Sequence, residues 1–213
     1  MRKLATCVLG LALPWALIPS LALAGDWMIT AKGGATIPTG NFGDENVLGA
    51  KVGYQVGGGL EYKLNSTWAL GVDGSWNKNK GSLEGETILT ETVEKAEFTT
   101  TQFGGHLKYL IPVQGGLRPF ALLGLGAYQV KYKESGTDSI IGPYSFEIDG
   151  GTHFGGRLGV GAAYWLSDMW AVGAGASYNL IVTDKKKGFE QSSLQYVGVT
   201  GQLTLKIPSG AKK

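Results

Sequence analysis

Seven ionisable residues occupy places where charge is costly. Lys32, Lys51, Glu61, Asp73, His106, Lys108 and Arg157 each lie in a run whose every second residue is apolar. Each takes the alternate place, among glycines and small polar residues, which on a strand turns it away from the apolar set. Charges gathered on such a face lose hydration, tolerable only when they are paired and hydrogen-bonded. Glu61 and Asp73 are therefore expected to pair with Lys32 and Arg157 and fill the space between strands. The other chemistry open to this set, where basic groups outnumber carboxylates, is a narrow and mildly anion-favouring path.

Catalysis finds little support. A nucleophile needs an adjacent base; His153 adjoins Thr152, but neighbours on a strand point to opposite faces, and no nucleophile elbow occurs. The two histidines stand far apart and Cys7 is the only cysteine, which leaves no transition-metal set. Gly57-Gly58-Gly59 lacks the strand-to-helix setting and the Lys-Ser/Thr ending of a phosphate loop. No catalytic residue, metal or cofactor is assigned.

The elements that must position the charges are strands. From Phe154 to Tyr164 and from Trp170 to Leu180, apolar and small residues alternate with period two across a break at Ser167-Asp168-Met169. The same alternation runs from Trp27 to Ile37, Leu48 to Leu64, Trp68 to Trp76, Thr99 to Tyr109, Arg118 to Tyr132 and Val197 to Ile207. Between Arg118 and Tyr132 both faces are apolar; Ala121, Leu123, Leu125 and Ala127 are taken as outward, which puts Gly124 and Gly126 inside. A half-buried sheet in water shows a charged outer face. Here the second face is mostly glycine, suited to the crowded inside of a narrow barrel, so the apolar face must look outward at lipid.

Eight strands result, with connections alternating short and long. Turns near 65–67, 112–117 and 167–169 are tight; segments near 38–47, 77–97, 133–150 and 183–192 are longer. Outer-membrane barrels have short periplasmic turns and longer external loops. Trp27, Tyr62, Trp68, Tyr109, Tyr164 and Trp170 all take outward places near the short turns, forming an aromatic girdle at the periplasmic interface. The alternation around Thr87–Glu94 predicts that the third and fourth strands run on past the membrane, an edge suited to adhesion by strand pairing. Lys185, Lys186 and Lys187 in the last loop are placed to meet lipopolysaccharide phosphates.

Met1 to Ala24 reads as a cleaved signal peptide: a basic start at Arg2-Lys3, an apolar middle from Val8 to Ile18, and Ala22-Leu23-Ala24 before Gly25. Its loss would remove the sole cysteine and bring nineteen basic and seventeen acidic residues to seventeen of each. A neutral mature chain argues against a nucleic-acid partner. Residues 25–213 suit one domain.

On Lys32–Asp44 (KGGATIPTGNFGD), Leu107–Phe120 (LKYLIPVQGGLRPF) and Gly124–Tyr128 (GLGAY) the chain resembles the small outer-membrane β-barrel proteins: the OmpX type, the opacity-type adhesins and the barrel domain of OmpA-like porins. The resemblance implies an all-β, eight-stranded, antiparallel up-and-down transmembrane β-barrel in a Gram-negative-type outer membrane. It implies a monomer met by the barrel-assembly machinery during biogenesis, with outer-membrane lipid, lipopolysaccharide and a surface partner at its loops. The expected role is non-enzymatic, structural or adhesive, with the lumen filled by side chains. The alternative is a narrow channel for small solutes or apolar molecules. Family members usually end on an aromatic residue, whereas Ile207 is followed here by Pro-Ser-Gly-Ala-Lys-Lys. Either Ile207 serves as the assembly signal or assembly differs.

Overall fold

A computed structural model describes residues 25–88, 91–183 and 193–208. Eight long strands follow one another: β1 (Trp27–Thr39), β2 (Ala50–Lys63), β3 (Trp68–Gly81), β4 (Glu91–Leu110), β5 (Leu117–Asp138), β6 (Gly142–Trp165), β7 (Trp170–Val182) and β8 (Ser193–Ile207). Each pairs antiparallel with the next. β1 pairs with β8, which closes the ring. The expected up-and-down barrel is therefore the fold, and it leaves no edge in the membrane zone.

The register sets the size of the ring. Following paired residues once around leads from Trp27 to Tyr62, Leu70, Leu107, Leu123, Leu158, Tyr178 and Val197, and returns to β1 at Ile37. That ten-residue stagger over eight strands, with ordinary strand spacings, gives a tilt of about 40° and a backbone diameter of about 17 Å. An interior so narrow is filled once side chains point into it.

The residues on the path just traced are all apolar, and they face outward. Leu125 is 73% exposed and Phe154 80%, whereas Met28, Ala69, Ala171 and Ile181 on the alternate face are buried. β5 follows the same rule: Leu123 and Leu125 are outward, Gly124 and Phe120 inward. Inward glycines are demanded by crowding. A Cβ on Gly71 would stand 2.8 Å from Glu61 Cγ and from His106 Nε2. Outward Gly201 would meet nothing nearer than a carbonyl oxygen at 3.9 Å.

Several strands outrun their apolar alternation. β4 begins at Glu91 rather than Thr99, and β5 and β6 reach Asp138 and Gly142, so the segment expected as a loop near 133–150 is a hairpin. Asp138 makes its tip, accepting the amides of Ile140 and Ile141 at 2.7 and 3.0 Å. β3 stops at Gly81, and only a two-residue strand, Thr87–Ile88, continues beside β4. The projection beyond the membrane is thus carried by β4, β5 and β6: β4 runs on as expected, whereas β3 does not. Outside lipid the outward face of a strand meets water, so the greasy alternation that marks a membrane strand fades while the pairing continues.

Candidate functional site

The lumen holds two layers, one ionic and one apolar. In the ionic layer Asp73, inward from β3, gathers three cations from other strands. Lys32 of β1 donates at 2.5 Å, and Arg157 of β6 reaches both carboxylate oxygens, through Nη1 at 2.6 Å and Nη2 at 2.7 Å. His106 of β4 meets Asp73 Oδ1 through Nδ1 at 3.1 Å and Glu61 Oε1 through Nε2 at 3.2 Å. Ionised carboxylates only accept, so this arrangement is fully satisfied by the imidazolium, with both ring nitrogens donating. Glu61 of β2 also takes the Lys108 ammonium, which lies 4.8 Å from the centre of the Phe120 ring. Gln102 adds an acceptor, for Ser75 at 3.1 Å and Arg157 at 3.4 Å.

Six of the seven expected lumen charges are therefore brought together, but their pairing differs from expectation. Lys32 and Arg157 both serve Asp73, while Glu61 is served by Lys108 and His106. Depth in the barrel decides this: the ring's stagger brings Lys108 level with Glu61. Lys51 is the departure. It is exposed near the loop end, with Nζ 3.4 Å from the Ser82 carbonyl, because a register shift between Ala50 and Gly53 breaks the alternation there.

The second layer closes the loop-side half. Phe42, carried on a 3₁₀ turn at Gly40–Phe42, is 1% exposed and packs with Phe98, Tyr128, Val130, Ile181, Leu194 and Tyr196. Phe42 meets Phe98 edge-on at 5.4 Å. Asn77 donates through Nδ2 to the Tyr196 hydroxyl at 3.1 Å, while its Oδ1 is buried without a hydrogen-bond partner. The expected filling by small and ionic groups is thus only half of the lumen. Phe98 and Tyr196 share the inward parity of Thr100 and Gly198, a signal that lay just beyond the strand limits drawn from apolar alternation.

The aromatic girdle residues lie outward at the short-turn end. Trp27 leans on Tyr62 at 5.0 Å and Trp68 meets Tyr109 edge-on at 4.9 Å; Tyr164 and Trp170 are exposed. Above the membrane zone, Lys131 bridges Glu147 at 3.3 Å, and this hydrogen bond, with Asp149 nearby, holds its ammonium above the usual lysine range. Asp149 is held below the usual carboxylate range, chiefly by the Gly151 amide at 2.9 Å. Among the described residues no group of His, Cys, Asp and Glu could hold a metal. The expected leader, Met1 to Ala24, and Lys185, Lys186 and Lys187 lie outside the described residues.

A closed eight-stranded ring with a charge-free apolar girdle outside and ion pairs inside defines an integral outer-membrane barrel. The chain belongs to the family of the outer membrane protein beta-barrel domain, whose model matches residues 7–201. Among solved structures it is similar to Neisserial surface protein A, at 14% identity and a TM-score of 0.58, over 85% of this chain and 97% of that one. Ail, the attachment invasion locus protein of Yersinia pestis, aligns at 13% identity and a TM-score of 0.49, over 86% and 99% of the two chains. OprG of Pseudomonas aeruginosa aligns at 12% and 0.46, over 87% and 97%. A comparison with curated protein sequences finds no match. At 14% identity the likeness to Neisserial surface protein A speaks for the fold and not for a role.

Proposed function

We propose that this chain is a non-enzymatic surface-interaction barrel of the outer membrane, a closed scaffold that holds up the β4–β6 projection for adhesion-type contact. The observation that carries this reading is the double occlusion of the lumen: an ion-paired layer around Asp73 lies beneath an apolar plug around Phe42. A ring about 17 Å across its backbone leaves little room once both layers are in place. The projection supplies the contact surface, with Ile140 and Ile141 about four-fifths exposed at its tip and Phe146 and Ile148 exposed below. Exposed apolar residues clustered on one feature suit a protein or membrane partner.

The same reading includes export by the Met1–Ala24 leader, assembly as a monomer, and lipopolysaccharide phosphates against Lys185, Lys186 and Lys187. Two measurements test the role. Purified protein in planar bilayers should give no unitary conductance steps; steps from the wild type would favour the narrow channel instead. Cells displaying the barrel should adhere to an epithelial layer, or to each other, more than cells without it. Replacing Ile140 and Ile141 with Glu should remove that gain, and unchanged adherence would overturn the adhesive role.

A further inference from the structure

At the short-turn end the lumen opens into a blind cup of about 270 Å³, below the ionic layer and at the far end of the molecule from the projection. Ser66, Gly116 and Ser167, one from each tight turn, form its rim. Four cationic side chains line it, Lys63, Lys108, Arg118 and Lys206, against two carboxylates, Glu61 and Asp168. Glu61 is already engaged by Lys108 and His106. Lys63 and Arg118 make no ion pair among the described residues, and the carboxylate contact of Lys206, to Asp26, is 4.0 Å long. The cup therefore carries positive charge that the protein itself does not balance.

Two of the cations, Arg118 and Lys206, are held in place. Arg118 Nη1 donates to the carbonyl oxygens of Val113, Gly115 and Leu117 at 2.9, 2.8 and 3.1 Å, which locks the guanidinium onto the second turn. The Lys206 ammonium lies 5.5 Å from the centre of the Trp165 ring. Phe120 and Trp165 also give the cup apolar surface beside its charges. Like charges on the walls of a concavity focus their field inward and raise the local concentration of the opposite ion. A guanidinium with fixed geometry suits planar or tetrahedral oxyanions.

We propose that this cup is a periplasm-facing binding site for a small organic polyanion, one bearing two or more carboxylate or phosphate groups on a short carbon skeleton. The anionic groups would meet Lys63, Arg118 and Lys206, and the skeleton would lie against Phe120 and Trp165. A volume just under the roughly 300–1,000 Å³ of drug-sized pockets restricts the occupant to metabolite size. The inference goes beyond the surface-interaction role and does not use the projection.

The test uses the full chain in nanodiscs of phosphatidylcholine, titrated calorimetrically with citrate, inorganic phosphate and glycerol. Citrate should bind with submillimolar affinity, phosphate more weakly, and glycerol not at all. The affinity for citrate should fall steeply with added salt. Lys63→Gln together with Lys206→Gln should weaken citrate at least tenfold, while Lys131→Gln, at the opposite end, should leave it unchanged. If the double variant fails to refold, by loss of its heat-dependent gel shift, Lys63→Gln alone should weaken citrate about threefold. Discs containing cardiolipin, whose headgroup carries two phosphates on one glycerol, separate two sources of the anion: competition with citrate through the same lysines assigns the site to a lipid headgroup, and its absence to a free solute. No binding of citrate, or equal binding by wild type and double variant, overturns the proposal without touching the adhesive role.

Discussion

Arg157 of β6 spans the lumen and closes on Asp73 of β3 with both terminal nitrogens, at 2.6 and 2.7 Å, 84 residues away in sequence. The contact ties two walls of the ring that share no backbone pairing. Asp73 is at the same time the acceptor for Lys32 and His106, so four strands converge on one carboxylate. Its removal would strand several buried cations at once.

Asp73→Ala should therefore destabilise the barrel by about 3–5 kcal/mol, as expected when one partner of a buried ion pair is lost. Urea unfolding in detergent, followed by gel shift, measures it. Replacing Asp73 and Arg157 together with Leu and Met should recover part of the loss, because no unpaired guanidinium then remains. A double variant no more stable than Asp73→Ala would show that the pair does not act as a unit.

The two faces of the wall should respond oppositely to the same added methyl group. Gly71→Ala forces a Cβ to within 2.8 Å of Glu61 and His106, an overpacking that costs about 1–3 kcal/mol. Gly201→Ala points into lipid with only an ordinary contact, the Gly33 carbonyl oxygen at 3.9 Å, and should change stability by about 0.5 kcal/mol or less. Equal losses at the two sites, in the same unfolding assay, would contradict the assignment of inside and outside.

Phe42 is the stopper of the loop-side mouth. Phe42→Ala should cost about 3–5 kcal/mol, toward the high end if its pocket cannot collapse. It should also open the plug. With Cys7→Ser as background, a Leu194→Cys thiol should react with a water-soluble maleimide many-fold faster once Phe42 is truncated. Unchanged labelling would mean that the plug closes without it.

Acid should loosen the base of the projecting hairpin. Asp149 has its carboxyl held below the ordinary range, mainly by the Gly151 amide, so its contribution is present above the unfolded value and is lost as pH falls through the folded one. Amide exchange at Gly151, corrected for its intrinsic rate, should therefore rise below about pH 3.9, the ordinary aspartate value. An Asp149→Asn chain should show no such rise.

Parity was legible from the sequence, and so was the ring. Trp27, Leu70, Leu125 and Phe154 alternate with Met28, Gly71, Gly124 and Gly155, and a strand obeying that alternation in lipid has one orientation open to it. The strand ends were not legible. From Glu91 to Phe98 and from Lys133 to Gly150 no lipid holds the outward face apolar, and composition no longer marks a strand that pairing maintains.

By itself, then, the sequence determined that Lys32, Glu61, Asp73, His106, Lys108 and Arg157 must enter the lumen, because each sits opposite a residue that lipid holds outward. Which of them meet was decided only by the closed ring. A ten-residue stagger lifts each strand relative to its neighbours, and that offset, invisible along any one strand, sets Arg157 at the level of Asp73 and Lys108 at the level of Glu61. The same closure carried Phe42 from a segment that looked like open loop into the barrel mouth, where burying its ring against Phe98 removes apolar surface from water.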